Sequence, residues 1–191
     1  MTEAQRQAYQ QAVQQQAQDA NNKFLLDFQA KHGNLRSLPI IKVETFAAPP
    51  LSLGAASSSS TAIVVGTVSA VSFAANPSGG MPLATVTFAV ERTIKGAVSG
   101  TLTVRQLGGP VAQGSTGALA EFDTDRLLIP GDHVLLMLTR DSRGMLRTEP
   151  GAGISSIDAK GRLVPENSNA FGATIRGHTV DEFAGLAAVG T

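Results

Sequence analysis

The stretch LATVTFAVERTIKGAVSGTLTVRQLGG, residues 83 to 109, limits what this chain can become more than any other. In its first half Ala84, Val86, Phe88, Val90 and Ile94 fall on even positions, while Thr85, Thr87, Glu91 and Thr93 fall on odd ones. That is the period-two alternation of a half-buried strand. In its second half Leu102 and Val104 alternate with Thr101, Thr103 and Arg105. Lys95-Gly96 and Ser99-Gly100 bracket the connection, where glycine supplies the positive φ of a tight turn. The stretch is therefore an antiparallel hairpin, and the chain is a β-protein of barrel or sandwich type.

Around this hairpin the sequence leaves room for one domain with a sizeable core and an appendage, since it has 191 residues. Aromatic residues make up only 5%, so the core is built from Val, Leu, Ile and Ala. Fifteen basic residues balance fifteen acidic ones, which leaves no long-range field to attract nucleic acid or anionic lipid. The absence of cysteine excludes disulfides, thiolate zinc sites and thiol nucleophiles. No run approaches the roughly 18 apolar residues of a membrane helix, so no transmembrane segment is expected. The first residues, MTEAQRQAYQ, contain no apolar signal core. The expectation is a cytoplasmic protein, or a periplasmic or cell-surface one if a leader lies upstream of Met1.

Residues 1–36 read as a Gln- and Ala-rich helical arm. Between residues 3 and 31 there is no Gly or Pro, and Tyr9, Val13, Ala17, Ala20, Phe24 and Phe28 recur at helical spacing. The arm is expected to lie on the domain or to pair with a second copy. Residues 37–60 read as a Pro- and Ser-rich linker: LPIIKVETF has the composition of a short strand, but AAPPLSLGAASSSS is expected to be a flexible spacer. A serine-rich spacer of this kind is common in exported proteins.

Residues 61–191 form the barrel domain with its C-terminal helix. In TAIVVGTVSAVSF, Ile63, Val64 and Val65 are consecutive and the alternation begins only after Gly66, which marks a bulge or bend of the sort small barrels use. The glycine-dotted stretch 108–125 is expected to be a surface loop. Pro130-Gly131-Asp132 is a turn, and the run Val134 to Leu138 after it is apolar on both faces, so its outer side needs cover. The C-terminal helix is the expected cover. It opens with the capping box Thr179-Val180-Asp181-Glu182, and Val180, Phe183, Leu186 and Ala187 form its apolar face. A small hairpin is expected around Ala159-Lys160-Gly161.

The segments Val65-Gly66-Thr67-Val68, Val90-Glu91 with Lys95-Gly96, Gly108-Gly109, and Pro130-Gly131-Asp132 with Leu135-Leu136 follow one another in a recognisable order. Together they resemble bacterial domains of the netrin and tissue-inhibitor-of-metalloproteinase type, over residues 61 to 165. The resemblance implies a mainly β fold: a small OB-like barrel of five to six strands, here with an N-terminal helical arm and a short C-terminal helix. Protease inhibition in that family depends on a cysteine at the free N-terminus of the barrel, which chelates the target's zinc. This chain has neither feature, so that activity does not carry over.

Catalytic chemistry is not evident. No G-x-S-x-G elbow and no phosphate-binding glycine loop is present. His32, His133 and His178 lie in separate segments without metal-binding spacing, and Asp132-His133 reads as a turn aspartate beside a strand residue. Asp123 and Asp125 have the chemistry of a calcium loop but lack further ligands, so they read as a solvated acidic pair. No catalytic residue, cofactor or metal is expected. The OB resemblance raises single-stranded nucleic acid as a partner. Residues 61 to 178, however, carry ten basic against nine acidic residues, and only Phe73, Phe88, Phe122 and Phe171 as aromatics. Arg105, Arg126, Arg140, Arg143 and Arg147 are the cations that a folded barrel brings together or leaves as a solvated face.

The expected function is a non-enzymatic β-barrel interaction module with a protein partner. Its contact is expected at Arg105, Gln106, Gly108 and Gly109, where a polar strand end meets a long loop. For Gly108-Gly109 the alternative is that they serve only the bend. A single-stranded nucleic-acid binder and a hydrolase with a scattered active site are the competing classes.

Overall fold

The computed structural model describes residues 35–44, 52–76, 80–111, 117–166 and 169–189, with residues 3, 6–9, 12, 27 and 28. Most of the expected N-terminal arm, and the prolines of the spacer, lie outside the described residues. A 3-10 turn, Leu35–Ser37, leads into strand β1 (Ile40–Val43) and helix α1 (Leu53–Ser59). Then come β2 (Ala62–Ala74), β3 (Leu83–Lys95), β4 (Thr101–Leu107), β5 (Gly109–Val111) and β6 (Ala118–Phe122). The chain continues through β7 (His133–Arg140), β8 (Leu146–Thr148), β9 (Ile154–Ile157), β10 (Leu163–Pro165), α2 (Ala170–Ile175) and α3 (Val180–Val189).

The expected hairpin is β3–β4, which pairs antiparallel from Leu83↔Leu107 to Ala89↔Thr101. It sits in a sheet of order β10-β9-β7-β2-β3-β4-β8, and β8 also pairs with β7. Strands β7, β2, β3, β4 and β8 thereby close into a five-stranded barrel. Its ring order, with β8 parallel to β4, is that of the OB fold. The inward residues are those the alternation marks: Ala84, Val86, Phe88 and Val104 are all 0% exposed, with Val64, Val134, Leu136 and Leu138 around them. Gly66 is a bulge, with the β2–β3 register shifting between Val65 and Gly66. A Cβ there would stand 2.0 Å from the Ala89 carbonyl oxygen, so only glycine lets the two strands meet.

The outer wall of β7 is covered as expected. Leu135 and Met137 face outward and join Ile63, Val65 and Leu163 beneath Phe171 and Ile175 of α2 and Phe183 and Ala187 of α3. The capping box of α3 is formed: Glu182 accepts the Thr179 amide at 2.7 Å, and Thr179 Oγ1 accepts the Glu182 amide at 3.3 Å. Leu186 departs from the expectation. It is 41% exposed, because Phe183 and Ala187 define the centre of the buried stripe and Leu186 falls at its margin. The small hairpin is β9–β10, its turn held by Asp158 accepting the amides of Lys160 and Arg162.

Two sequence expectations need correction. Part of the spacer is a helix: Ser52 Oγ accepts the Ala55 amide, Leu53 and Ala56 are buried in the outer core, and Lys95 donates to the Ser57 carbonyl. Serine is a mediocre helix former, but two buried apolar residues and a cap outweigh that over seven residues. The stretch 108–125 is not a surface loop throughout. Strands β5 and β6 pair antiparallel, β1 joins β6 in parallel, and Leu119 enters the barrel core along with Phe28. Among the described residues no helix is long and apolar enough to cross a membrane.

Candidate binding face

The four residues singled out from the sequence do not share one surface. Gln106 is 5% exposed and clamps the segment before β7, its Nε2 donating to the Arg126 carbonyl at 2.6 Å and its Oε1 accepting the Leu128 amide at 3.0 Å. Gly108 and Gly109 are buried, with φ of +137° and +140°. A Cβ on Gly108 would lie 2.8 Å from the Ala120 carbonyl oxygen, and one on Gly109 2.7 Å from the Phe73 ring. Both glycines turn the chain from the barrel into the second sheet. Of the four, Arg105 alone stands on the outer wall, half-buried at the strand end.

Next to the segment that Gln106 clamps lies a partly buried polar cluster. Arg126 donates through Nε to Glu166, through one terminal nitrogen to Asp132 and through the other to Ser156, at 2.7, 2.7 and 3.1 Å. Burial works against its charge, but the Asp132 hydrogen bond and the Asp132 and Glu166 charges more than offset that, and its pKa is raised. Asp132 also accepts the Ile129 amide at 2.8 Å. An open depression of about 450 Å³ lies among Arg126, Asp132, His133, Ser156 and Glu166. Each nitrogen of this guanidinium already holds a protein acceptor, so the group acts as a brace for the β6–β7 connection.

Asp132 and His133 are neighbours in sequence and line the same depression, but they bond different groups. Asp132 bonds Arg126, while His133 bonds Glu91 at 3.1 Å, and Thr67 Oγ1 donates to the same carboxylate at 2.7 Å. Asp123 and Asp125 diverge too: Asp123 is exposed, Asp125 buried. Desolvation pushes the Asp125 carboxyl up to about 7, against the Gly151 amide that bonds it and with help from the Glu149 charge; its Oδ1 has no hydrogen-bond partner. Among the described residues no three His, Asp or Glu converge as a metal site.

The outer wall of the barrel divides at the Gly66 bulge. Before it, Ile63 and Val65 are roofed by the helices; after it, Ala70, Ser72 and Ala74 are exposed. Across β3 and β4 the same bare wall carries Thr85 and Thr87, then Thr101, Thr103 and Arg105. On β8 it carries Arg147. The registers align Ser72, Thr85, Arg105, Arg147 and Thr139 in one row across five strands. Arg105 and Arg147 are two of the five arginines named from the sequence, but their alignment with this row of small hydroxyls was not found there, because the parallel β4–β8 pairing that makes it has no local signature.

No protein-family model matches this chain, and no curated protein shows significant similarity to it.

Proposed function

We propose that this chain is a non-enzymatic binding module of the netrin-like OB type, which engages a protein partner through the bare wall of β2, β3, β4 and β8. The observation carrying this reading is the asymmetry of the barrel exterior. One half is sealed by three short helices, whereas the other presents short hydroxylic side chains and outward arginines over a rigid closed sheet. A closed sheet of this kind holds its side chains in register and loses little entropy on binding.

A photo-crosslinking residue placed at Thr103 in the source cells tests this. The expected result is a discrete protein adduct that is not formed from Lys160, which lies on the β9–β10 turn. Equal labelling from both positions, or none from Thr103, overturns the reading.

Single-stranded nucleic acid is the second reading, favoured by the two aligned arginines. Against it, Phe73, Phe88 and Phe171 are buried, and of the four barrel-domain aromatics named from the sequence only Phe122 is partly exposed. Filter binding of an oligothymidylate at low salt decides it, and absence of retention rules it out.

A further inference from the structure

We propose that Arg105 and Arg147 form a carboxylate clamp on the outer wall of the barrel, and that its occupant is an extended acidic segment of a protein partner. This deepens the proposed protein-binding role and rests on it.

The two arginines are directly opposed across the parallel β4–β8 seam. Their neighbours Val104 and Leu146 point into the core, so both guanidinium stems leave on the outer side. Like charges set opposite each other in a sheet oppose the pairing they sit on. Nothing among the described residues relieves this with an ion pair: the ion pairs there engage Lys42, Arg92, Arg126, His133 and His178. Asp141 lies within the field of Arg105, and it is shared with Arg143. Its Oδ1 already accepts the amides of Arg143 and Met145 at 2.8 and 2.9 Å. Arg105 and Arg143 therefore share one carboxylate whose Oδ1 is already taken, and Arg147 stands opposite Arg105, a local excess of positive charge on a chain whose net charge is +0.

The chemistry of the occupant follows from the row. Ser72, Thr85 and Thr139 flank the arginines with hydroxyl donors, and no acid interrupts the row. Guanidinium groups take carboxylates through paired N–H bonds. Adjacent strands lie about 4.8 Å apart, and an extended peptide presents every second side chain at about 6.6 Å. The long arginine stems can splay by the remaining roughly 2 Å, so that acidic residues in alternate positions meet both guanidinium groups. A nucleic-acid strand would gain only phosphate contacts here, without bases stacked on aromatic rings.

The test is fluorescence anisotropy at low ionic strength with a labelled (Glu-Ala)5 peptide. A (Lys-Ala)5 peptide and an oligothymidylate serve as the other arms. The double variant Arg105→Gln/Arg147→Gln is compared with the charge-matched Arg92→Gln/Lys160→Gln. The intact protein is expected to bind (Glu-Ala)5 and not (Lys-Ala)5. The clamp variant is expected to bind about tenfold more weakly or worse, and the matched variant within about twofold of the intact protein. The clamp variant must also unfold at the same temperature or higher, because it loses a like-charge pair. No binding of (Glu-Ala)5, equal loss in both variants, or tighter binding of the oligothymidylate overturns the clamp. If the peptide fails while Thr103 still crosslinks to a protein, the clamp falls and the protein-binding role stands. If both fail, both fall.

Discussion

Three aspartates show how position decides what one functional group does. Asp158, exposed in a turn, accepts two backbone amides, and these hold it below the usual carboxylate range. Asp132 is 4% exposed yet carries a guanidinium and an amide on one oxygen. Asp125 is 8% exposed, with one oxygen lacking any hydrogen bond and a pKa near 7. In the window from about pH 4 to pH 7 the folded protein keeps the Asp125 proton and the unfolded chain has released it. Folding stability from this group is therefore complete below the unfolded value and is lost as the pH rises through 7, by an amount on the order of a few kcal/mol. Urea unfolding of the intact protein should give a lower midpoint at pH 8 than at pH 5, and Asp125→Asn should flatten that difference. Parallel pH profiles for the two proteins would exclude Asp125 as the source.

Among the elements, α3 offers the sharpest contrast. Phe183 is fully buried between the helices and the barrel wall, so Phe183→Ala should cost about 3 to 5 kcal/mol in denaturant titrations. Leu186→Ala, three residues on, should change stability by no more than about 0.5 kcal/mol. Elements whose cause is local could be read from the sequence. The Thr179-Glu182 box, the Pro130-Gly131 turn and the Gly66 bulge each carry their reason within a few residues. Even the need to cover β7 was legible, since Leu135 and Met137 had to be buried somewhere. What stayed hidden was caused at a distance. Helix α1 forms because Leu53 and Ala56 find the outer core, and β1 is a strand because β6 accepts it in parallel. The expected contact at Gln106 and Gly108 failed to be a surface for the same reason: polarity in sequence did not reveal that the Arg126–Leu128 segment and β6 lie over them.

Taken whole, the molecule has two apolar layers that share a wall. Val64, Leu136 and Leu138 point to the barrel interior, whereas Ile63, Leu135 and Met137 point to the helices. Strands β2 and β7 are thus pinned from both sides. Their central amides can open only when both layers come apart, so hydrogen exchange there should report the global free energy of unfolding. Exchange at Ile40 and Lys42 on β1, at the margin of the small sheet, should be faster by orders of magnitude. Comparable protection in the two places would mean that the layers do not act as one wall.

The barrel is sealed by β8, a strand of three residues lying parallel to β4. A parallel join cannot be made by a simple turn, and here the connection between Val104 and Leu146 runs through β5, β6 and β7. Closing the ring therefore costs more chain entropy than making the β3–β4 hairpin, and it rests on only two residue pairs between β4 and β8.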